Sequence, residues 1–107
     1  MKLLFICSRN RLRSPTAEAL FTNNASIETA SAGTSSDAHN PVSADLIDLA
    51  DIIFVMESVH RRRLNNKFKS ALKTKKLVVL GISDEYDYMD PELIKLLRTK
   101  LARYVET

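Results

Sequence analysis

The chain has 107 residues, of which 45% are hydrophobic and 27% charged, with a net charge of +3. This length predicts one domain over residues 1–107 with a core that needs no disulfides, and the composition excludes a disordered chain. The single cysteine, Cys7, excludes an internal disulfide framework. The apolar run before it is too short for a secretory signal and no segment has the length of a membrane span, so we expect a cytoplasmic protein without membrane contact.

Short apolar runs alternate with helix-forming stretches along the chain. The first run, Leu3 to Ile6, ends in Cys7 and has the length of a strand that is buried on both faces. Ser14 is predicted to be the N-cap of the following helix, with Pro15 in the first helical position. The predicted elements are, in order, a strand at 3–6, a helix from Ser14 to about Asn24, a strand at 27–30, a loop at 31–41, a helix at about 41–49, a strand at 52–56, a helix at about 57–68, a strand at 77–80, a loop at 81–89 and a helix from Asp90.

This alternation of strands and helices predicts a parallel sheet, because parallel neighbours need crossover connections. The predicted fold class is α/β, a doubly wound four-stranded parallel sheet with helices on both faces. We expect Leu46 and Leu49 to face inward from the second helix. The last helix carries a stripe of apolar residues at a spacing of three and four, namely Leu93, Ile94, Leu96, Leu97 and Leu101.

The segment between the first strand and the first helix, residues 7–14, carries the pattern Cys, five residues, Arg, Ser. Ligands of open α/β sheets bind at the carboxyl ends of the strands, and the N–H groups of a tight loop before a helix attract anions. Five intervening residues can curl around one phosphate, with Cys7 below the phosphorus and Arg13 gripping two oxygens as a planar fork. The other predicted phosphate-binding residues of this 7–14 loop are Ser8, Arg9, Asn10, Arg11, Leu12 and Ser14.

The positive field that binds phosphate also favours the thiolate form of Cys7, to which Ser14 can donate a hydrogen bond. A thiolate can attack phosphorus and form a phosphocysteine, which water then hydrolyses. The alternative is a buried, inert cysteine beside solvated arginines. The strand before the loop and the Ser14-Pro15 pair after it favour the nucleophile.

The 7–14 loop resembles the phosphate loop of the low-molecular-weight protein tyrosine phosphatases. Ser31-Ala32-Gly33-Thr34 is similar to a Ser-Ala-Gly-Thr segment of that family, and the segment 50–57, with His60 and Leu64, resembles its strand ending in Met-Asp. The resemblance spans nearly the whole chain. It implies a four-stranded parallel sheet with flanking helices and hydrolysis of a phosphomonoester, protein phosphotyrosine foremost, through a phosphocysteine on Cys7 and without a cofactor.

The chain also departs from that family. Members are usually longer, with a further helix and part of the substrate rim where this chain has only the residues between Thr34 and Val42. Arg9 stands in place of a usual glycine. Leu12 stands in place of a frequent second cysteine, so a protective disulfide cannot form. Asn10 matches an asparagine that holds the shape of the family's loop. Whether the phosphorylated substrate is a protein or a small molecule stays open.

A phosphatase needs a general acid near the leaving oxygen, and the acidic stretch after the fourth predicted strand offers candidates. In the family this acid is an aspartate followed by proline and an aromatic residue. Asp90 precedes a proline, but that pair is also an N-cap signature before a helix, which we favour. Asp84 keeps the family's distance from the strand and has Tyr86 two positions later. We therefore predict that Asp84 is the acid, with Asp87 and Asp90 as alternatives.

The aromatic and histidine side chains near these motifs have two interpretations each. Tyr86 and Tyr88 either wall the cleft, where they could stack on an aromatic leaving group, or pack over the sheet edge. His39 and His60 show no ligand spacing, so we expect surface or capping residues and no metal site.

Residues 58–76 contain basic side chains and no acidic one. We interpret most of them as a solvated helix face, although such a patch can attract nucleic acid. Two other functions stay open: an arsenate reductase, which with Cys7 alone would need an external thiol, and a non-catalytic module that binds an anion or nucleic acid. The joint presence of Cys7, Arg13 and Asp84 favours the phosphatase.

Overall fold

A four-stranded sheet, parallel throughout and ordered β2-β1-β3-β4, forms the centre of the molecule in a computed structural model that describes residues 1–105. The predicted fold class is confirmed. The strands are β1 (Lys2–Cys7), β2 (Glu28–Gly33), β3 (Ile52–Val55) and β4 (Lys76–Val79), and the helices are α1 (Arg13–Ala19), α2 (Ala44–Leu49), α3 (Ser58–Leu72) and α4 (Pro91–Leu101).

Helices cover both faces of this sheet, and each face has its own apolar core. Side chains alternate across a strand, so Leu3 and Phe5 of β1 point to one face while Leu4 and Ile6 point to the other. The first core is completed by α1 and α4, whose predicted stripe is buried at Leu93, Leu97 and Leu101. The second core is completed by α2 and α3. All residues of β1 after Lys2 are buried, as predicted for a central strand.

The carboxyl ends of the strands meet at one edge of the sheet. Cys7 at the end of β1 is level with Gly33 at the end of β2, and Ile6 is level with Val55 of β3. The loops that follow the strands therefore gather at this edge, which is where the sequence predicts the site.

The boundaries of α1 differ from the prediction. The helix begins at Arg13 with Leu12 in the N-cap position, so the prediction that Ser14 caps it is wrong. Ser14 lies inside the first turn, fully buried, because its hydroxyl bonds within the 7–14 loop and not to the helix backbone. Pro15 is the third helical residue, which is still a position whose N–H would have no partner within the helix. The helix ends at Ala19, and isolated turns replace its predicted last residues.

The second helix also begins later than predicted. Ser43 is its N-cap and accepts a hydrogen bond from the N–H of Leu46 at 3.3 Å. This start directs Ile47 into the core with no exposed surface. Leu49, two residues further and thus about 200° around the helix, is on the opposite side. It is 61% exposed, so the prediction that Leu49 faces inward is wrong.

The third helix extends to Leu72, beyond the predicted end at 68. Its backbone leaves the helical region at Phe68, where φ is −127° and ψ is 34°. The predicted end of the helix at residue 68 therefore coincides with a kink, and the helix continues beyond it to Leu72.

Most basic side chains of residues 58–76 lie on the exposed surface of α3 and at its end, namely Arg61, Arg62, Arg63, Lys67, Lys69 and Lys73. Lys75 instead donates hydrogen bonds to the carbonyls of Asp48 and Ala50. None of the helices within residues 1–105 is long and apolar enough to cross a membrane.

Candidate active site

The turn after β2 holds the outside of the 7–14 loop. The carbonyl oxygens of the loop's first three residues each accept an N–H from residues 34–39, and these oxygens would repel an anion if they faced the cavity. The three bonds run from Thr34 to Cys7 (3.0 Å), from Ser35 to Ser8 (2.9 Å) and from His39 to Arg9 (3.0 Å).

Gly33 permits this close approach of the two segments. A Cβ atom at this position would lie 2.5 Å from the Cβ of Ala38 and 2.6 Å from the carbonyl oxygen of Ser8. No ordinary side chain fits there, so the glycine of the 31–34 segment is required to support the 7–14 loop.

The sulfur of Cys7 is 2.9 Å from the hydroxyl oxygen of Ser14 and accepts the backbone N–H of Asn10 at 3.3 Å. Cys7 itself is only 3% exposed. Asn10 has a left-handed backbone with φ of 57°, a conformation that asparagine tolerates better than most residues. Its side chain lies 3.0 Å from the Ser14 hydroxyl, so Asn10 and Ser14 together fix the loop around the sulfur.

Arg13 is buried at the start of α1, and its guanidinium is fixed from the far side of the loop. Nη1 donates to the carboxylate of Glu57 and, at 2.7 Å, to the carbonyl oxygen of Ile82. Nε lies 3.7 Å from a carboxylate oxygen of Asp84. Because Nη1 is already engaged twice, the edge formed by Nε and Nη2 remains for two oxygens of an anion.

His60 is a site residue that the sequence reasoning missed. The sequence predicted a surface or a capping residue. His60 is fully buried, so it is not a surface residue. It is a capping residue, because Nδ1 accepts the N–H of Glu57 at 3.0 Å at the start of α3. Since Nδ1 accepts, the ring proton is on Nε2, which donates to the Ser8 hydroxyl at 2.9 Å. Burial first, and then the charge of Arg13, lower the pKa of His60 to about 4, so its ring is neutral at pH 7.

The sequence analysis assigned no role in the site to Glu57, which it named only as the last residue of the segment 50–57 that resembles a strand of the phosphatase family. Its position at the turn from β3 into α3 brings its carboxylate to Arg13. The available signal was the spacing of Glu57 and His60, which are the N-cap and third residues of a helix and so can bond each other. Nothing in the sequence pattern pairs Glu57 with Arg13.

The three candidate acids lie in different places. Asp84 lines the same cavity as Cys7 and its side chain is 65% exposed. Asp90 caps α4, accepting the N–H of Glu92 at 2.9 Å. Asp87 is exposed outside the cavity lining, and its carbonyl accepts the N–H of Asp90. Of the three, only Asp84 is brought to the 7–14 loop.

The 81–89 loop that carries Asp84 is attached to α1. The N–H of Met89, whose φ is 60°, donates to the side-chain oxygen of the buried Thr16 at 2.9 Å. Ile82 is also buried and binds Arg13 through its carbonyl. Both ends of the loop are therefore anchored next to the site.

The cavity above Cys7 has a volume of about 220 Å³. Tyr86 is partly buried against the first core, and Tyr88, 54% exposed, lines a separate depression together with Arg11 and His39. Neither tyrosine lines this cavity. Its lining consists of Cys7, Ser8, Arg9, Arg11, Leu12 and Arg13 from the 7–14 loop and Asp84 from the 81–89 loop.

Within residues 1–105, no three histidine, cysteine, aspartate or glutamate side chains are arranged to hold a metal ion. His39 is exposed and contributes only its backbone to the support of the loop.

Comparison with known proteins shows what the chain is similar to in sequence and in fold. A family model described as low molecular weight phosphotyrosine protein phosphatase matches residues 2–47, which include β1, the 7–14 loop, α1 and β2. No curated protein matches the chain in sequence.

Several solved structures are similar over nearly the whole chain. A cysteine-to-serine mutant of the YwlE arginine phosphatase with a phosphorylated active-site serine is 25% identical, covering 96% of this chain and 94% of its own, with a TM-score of 0.73. A low-molecular-weight protein tyrosine phosphatase from T. tengcongensis is 20% identical over 98% of this chain and 99% of its own, with a TM-score of 0.74. The tyrosine phosphatase Wzb from Escherichia coli K30, in complex with phosphate, is 21% identical over 96% and 94%, with a TM-score of 0.74.

The family match covers the segment with Cys7 and Arg13, and the structural similarity extends over the remaining strands and helices. Residues 2–47 thus match the family model of the low molecular weight phosphotyrosine protein phosphatases, and the chain as a whole shares the fold of the solved phosphatases named above.

Proposed function

We propose that this phosphatase hydrolyses phosphomonoesters, protein phosphotyrosine foremost, through a phosphocysteine on Cys7. The observation that carries the proposal is a single cavity whose lining brings together Cys7, Arg13 and Asp84. The Cys7 sulfur lies within hydrogen-bond distance of the Ser14 hydroxyl and of the backbone N–H of Asn10, and both groups can donate to a thiolate.

In the first step the thiolate attacks phosphorus, so that a P–S bond forms as the P–O bond to the leaving group breaks. Arg13 holds two phosphate oxygens through Nε and Nη2 and stabilises the charge that develops on them. The protonated carboxyl of Asp84 gives its proton to the leaving oxygen. The leaving alcohol or phenol departs neutral.

In the second step water attacks the phosphorus of the phosphocysteine. The Asp84 carboxylate, now without its proton, accepts one from that water as the P–S bond breaks. Inorganic phosphate is released and the thiolate is restored. A phosphorylated serine in the similar YwlE mutant supports transfer of the phosphoryl group to an enzyme side chain.

Ser14 has one hydroxyl proton, which serves either the sulfur or Asn10. In the thiolate state that proton bonds to the sulfur, and the amide of Asn10 turns its NH₂ toward the hydroxyl oxygen. Asn10 and Ser14 thus stabilise the nucleophile as it forms and as it is restored.

Similarity to an arginine phosphatase makes phosphoarginine a second candidate substrate. The cavity lining disfavours it. A phosphorylated guanidinium keeps positive charge beside the phosphorus, where it would meet Arg9 and Arg11, whereas a phosphomonoester brings only negative charge. We therefore assign the oxygen ester.

Hydrolysis of a panel containing p-nitrophenyl phosphate, phosphotyrosine peptides and phosphoarginine peptides tests this assignment. The parent protein should release phosphate from the first two faster than from the third, and Cys7→Ser should release none. Release from phosphoarginine alone would overturn the substrate class, and undiminished release by Cys7→Ser would overturn the mechanism. A thiol nucleophile must stay reduced, which agrees with the cytoplasmic location predicted from the sequence.

A further inference from the structure

Two arginines line the catalytic cavity without an acidic partner. Arg9 and Arg11 are both exposed and both border the cavity that contains Cys7. Within residues 1–105 the ion pairs are those of Arg13, with Glu57 and with Asp84, and neither Arg9 nor Arg11 takes part in one.

The reaction proposed above assigns no role to the side chains of Arg9 and Arg11. A single phosphate group would be bound by Arg13, by the N-terminus of α1 and by the N–H groups of the 7–14 loop. Holding three guanidinium groups on one short loop costs electrostatic free energy, since like charges repel. An additional negative charge on the bound molecule would relieve that repulsion.

The positive charges of Arg9 and Arg11 both act on the carboxyl group of Asp37. The pKa of the exposed Asp37 is lowered first by a hydrogen bond with Ser35 and then by the charge of Arg9, with Arg11 contributing less. Asp37 forms no ion pair with either arginine. Arg9 and Arg11, which both line the cavity, therefore add positive charge to the same region of its surroundings.

We propose that Arg9 and Arg11 bind a second anionic group of the substrate, so that the preferred substrate is a phosphomonoester with a carboxylate or a further phosphate beside the scissile group. This inference rests on the proposed phosphatase function. A guanidinium presents a planar fork that matches either anion. Tyr86 and Tyr88 do not line the cavity, so the recognition proposed here is by charge.

Matched pairs of substrates test the proposal in two arms. The first arm compares phosphotyrosine peptides of equal length whose neighbours are either aspartate or asparagine, so that the leaving group stays the same. The second compares a sugar bisphosphate with the corresponding monophosphate. We expect kcat/KM to favour the more anionic member by roughly three- to tenfold, as for one or two partly exposed ion pairs, and the preference to shrink with added salt.

The double variant Arg9→Gln/Arg11→Gln should bring that ratio close to one. Its matched control is Lys69→Gln/Lys73→Gln, which removes the same charge from the exposed far end of α3 and should keep the ratio. A preference confined to the peptide arm assigns carboxylates as the second anion, and one confined to the sugar arm assigns a second phosphate.

Equal rates within both pairs for the parent protein would overturn the inference, as would a preference that survives in Arg9→Gln/Arg11→Gln or disappears in the control. The proposed function fails separately. If the parent hydrolyses no probe, p-nitrophenyl phosphate included, the phosphatase proposal falls and this inference with it. If it hydrolyses p-nitrophenyl phosphate without any anionic preference, only the inference falls.

Discussion

The Nη1 atom of Arg13 donates to the carboxylate of Glu57, which is 44 residues away in the chain and lies where β3 passes into α3. The pair ties the helix that begins the site to the neighbouring strand of the sheet. A second bond to the carbonyl of Ile82 fixes the same nitrogen from the 81–89 loop. The guanidinium is thereby oriented before any ligand arrives, which lowers the cost of binding one.

Arg13→Lys should lose most activity although it keeps the charge. An ammonium cannot bond Glu57 and Ile82 and at the same time present two parallel N–H groups to phosphate. We expect kcat to fall by roughly 10²–10³-fold, as when a transition-state donor is removed. Steady-state kinetics with p-nitrophenyl phosphate measure this, and near-normal turnover would mean that another arginine grips the phosphate.

Glu57→Gln should have a smaller effect of the same kind. The amide oxygen still accepts from Nη1, but the pair loses its charge, so Arg13 is oriented less firmly. We expect kcat/KM to fall by roughly tenfold, with a weaker affinity for vanadate. Glu85→Gln, an exposed neighbour outside the cavity lining, is the matched control and should change neither value.

Cys7→Ser should abolish turnover while leaving the anion site intact. A serine hydroxyl is a poor nucleophile without a base, yet the loop N–H groups and Arg13 still bind phosphate. Isothermal titration with inorganic phosphate or vanadate should show binding in both parent and variant. Hydrolysis at the parent rate by Cys7→Ser would contradict a cysteine mechanism.

Asp84→Asn and Asp90→Asn should separate catalysis from helix capping. The proton of Asp84 matters for poor leaving groups, so Asp84→Asn should slow phenyl esters by about 10²–10⁴-fold and p-nitrophenyl esters much less. Asp90→Asn retains a good capping residue at α4 and should change neither leaving-group dependence nor, by more than a few tenths of a kcal/mol, stability. The reverse pattern would reassign the acid to Asp90.

Local patterns were sufficient to predict the four-stranded parallel sheet and the presence of a helix after each strand. The buried run before Cys7, the cysteine-to-arginine spacing and the proline after Asp90 each depend on residues close together in the chain. Such signals fix strand type, loop position and helix start through short-range sterics and hydrogen bonds. They also sufficed to select Asp84 as the candidate acid, which the structure places at the cavity.

Long-range partners could not be predicted from those patterns. Glu57 meets Arg13 and His60 meets Ser8 only because β1 and β3 are neighbours in the sheet, which is a property of the whole topology. Ser14 was predicted as an N-cap because serine favours that position, but tertiary contacts with Cys7 and Asn10 override the local preference. Leu49 was wrongly predicted to face inward because the start of α2 determines which of its residues point to the core, and the helix begins later than predicted.

The buried His60 makes stability dependent on pH. Its pKa is lowered from 6.5 to about 4 by burial and by Arg13, so between these values the unfolded chain binds a proton that the native chain does not. Its contribution to the free energy of unfolding is therefore fully present above pH 6.5 and is lost as the pH falls towards 4, on the order of 3 kcal/mol in all.

His60→Gln can still accept from Glu57 and donate to Ser8 but cannot titrate, so its stability should fall less between pH 7 and pH 4.5. Urea denaturation at several pH values measures the slope, with His39→Gln as the control for loss of a histidine. An equally steep acid slope in His60→Gln would show that other groups cause it.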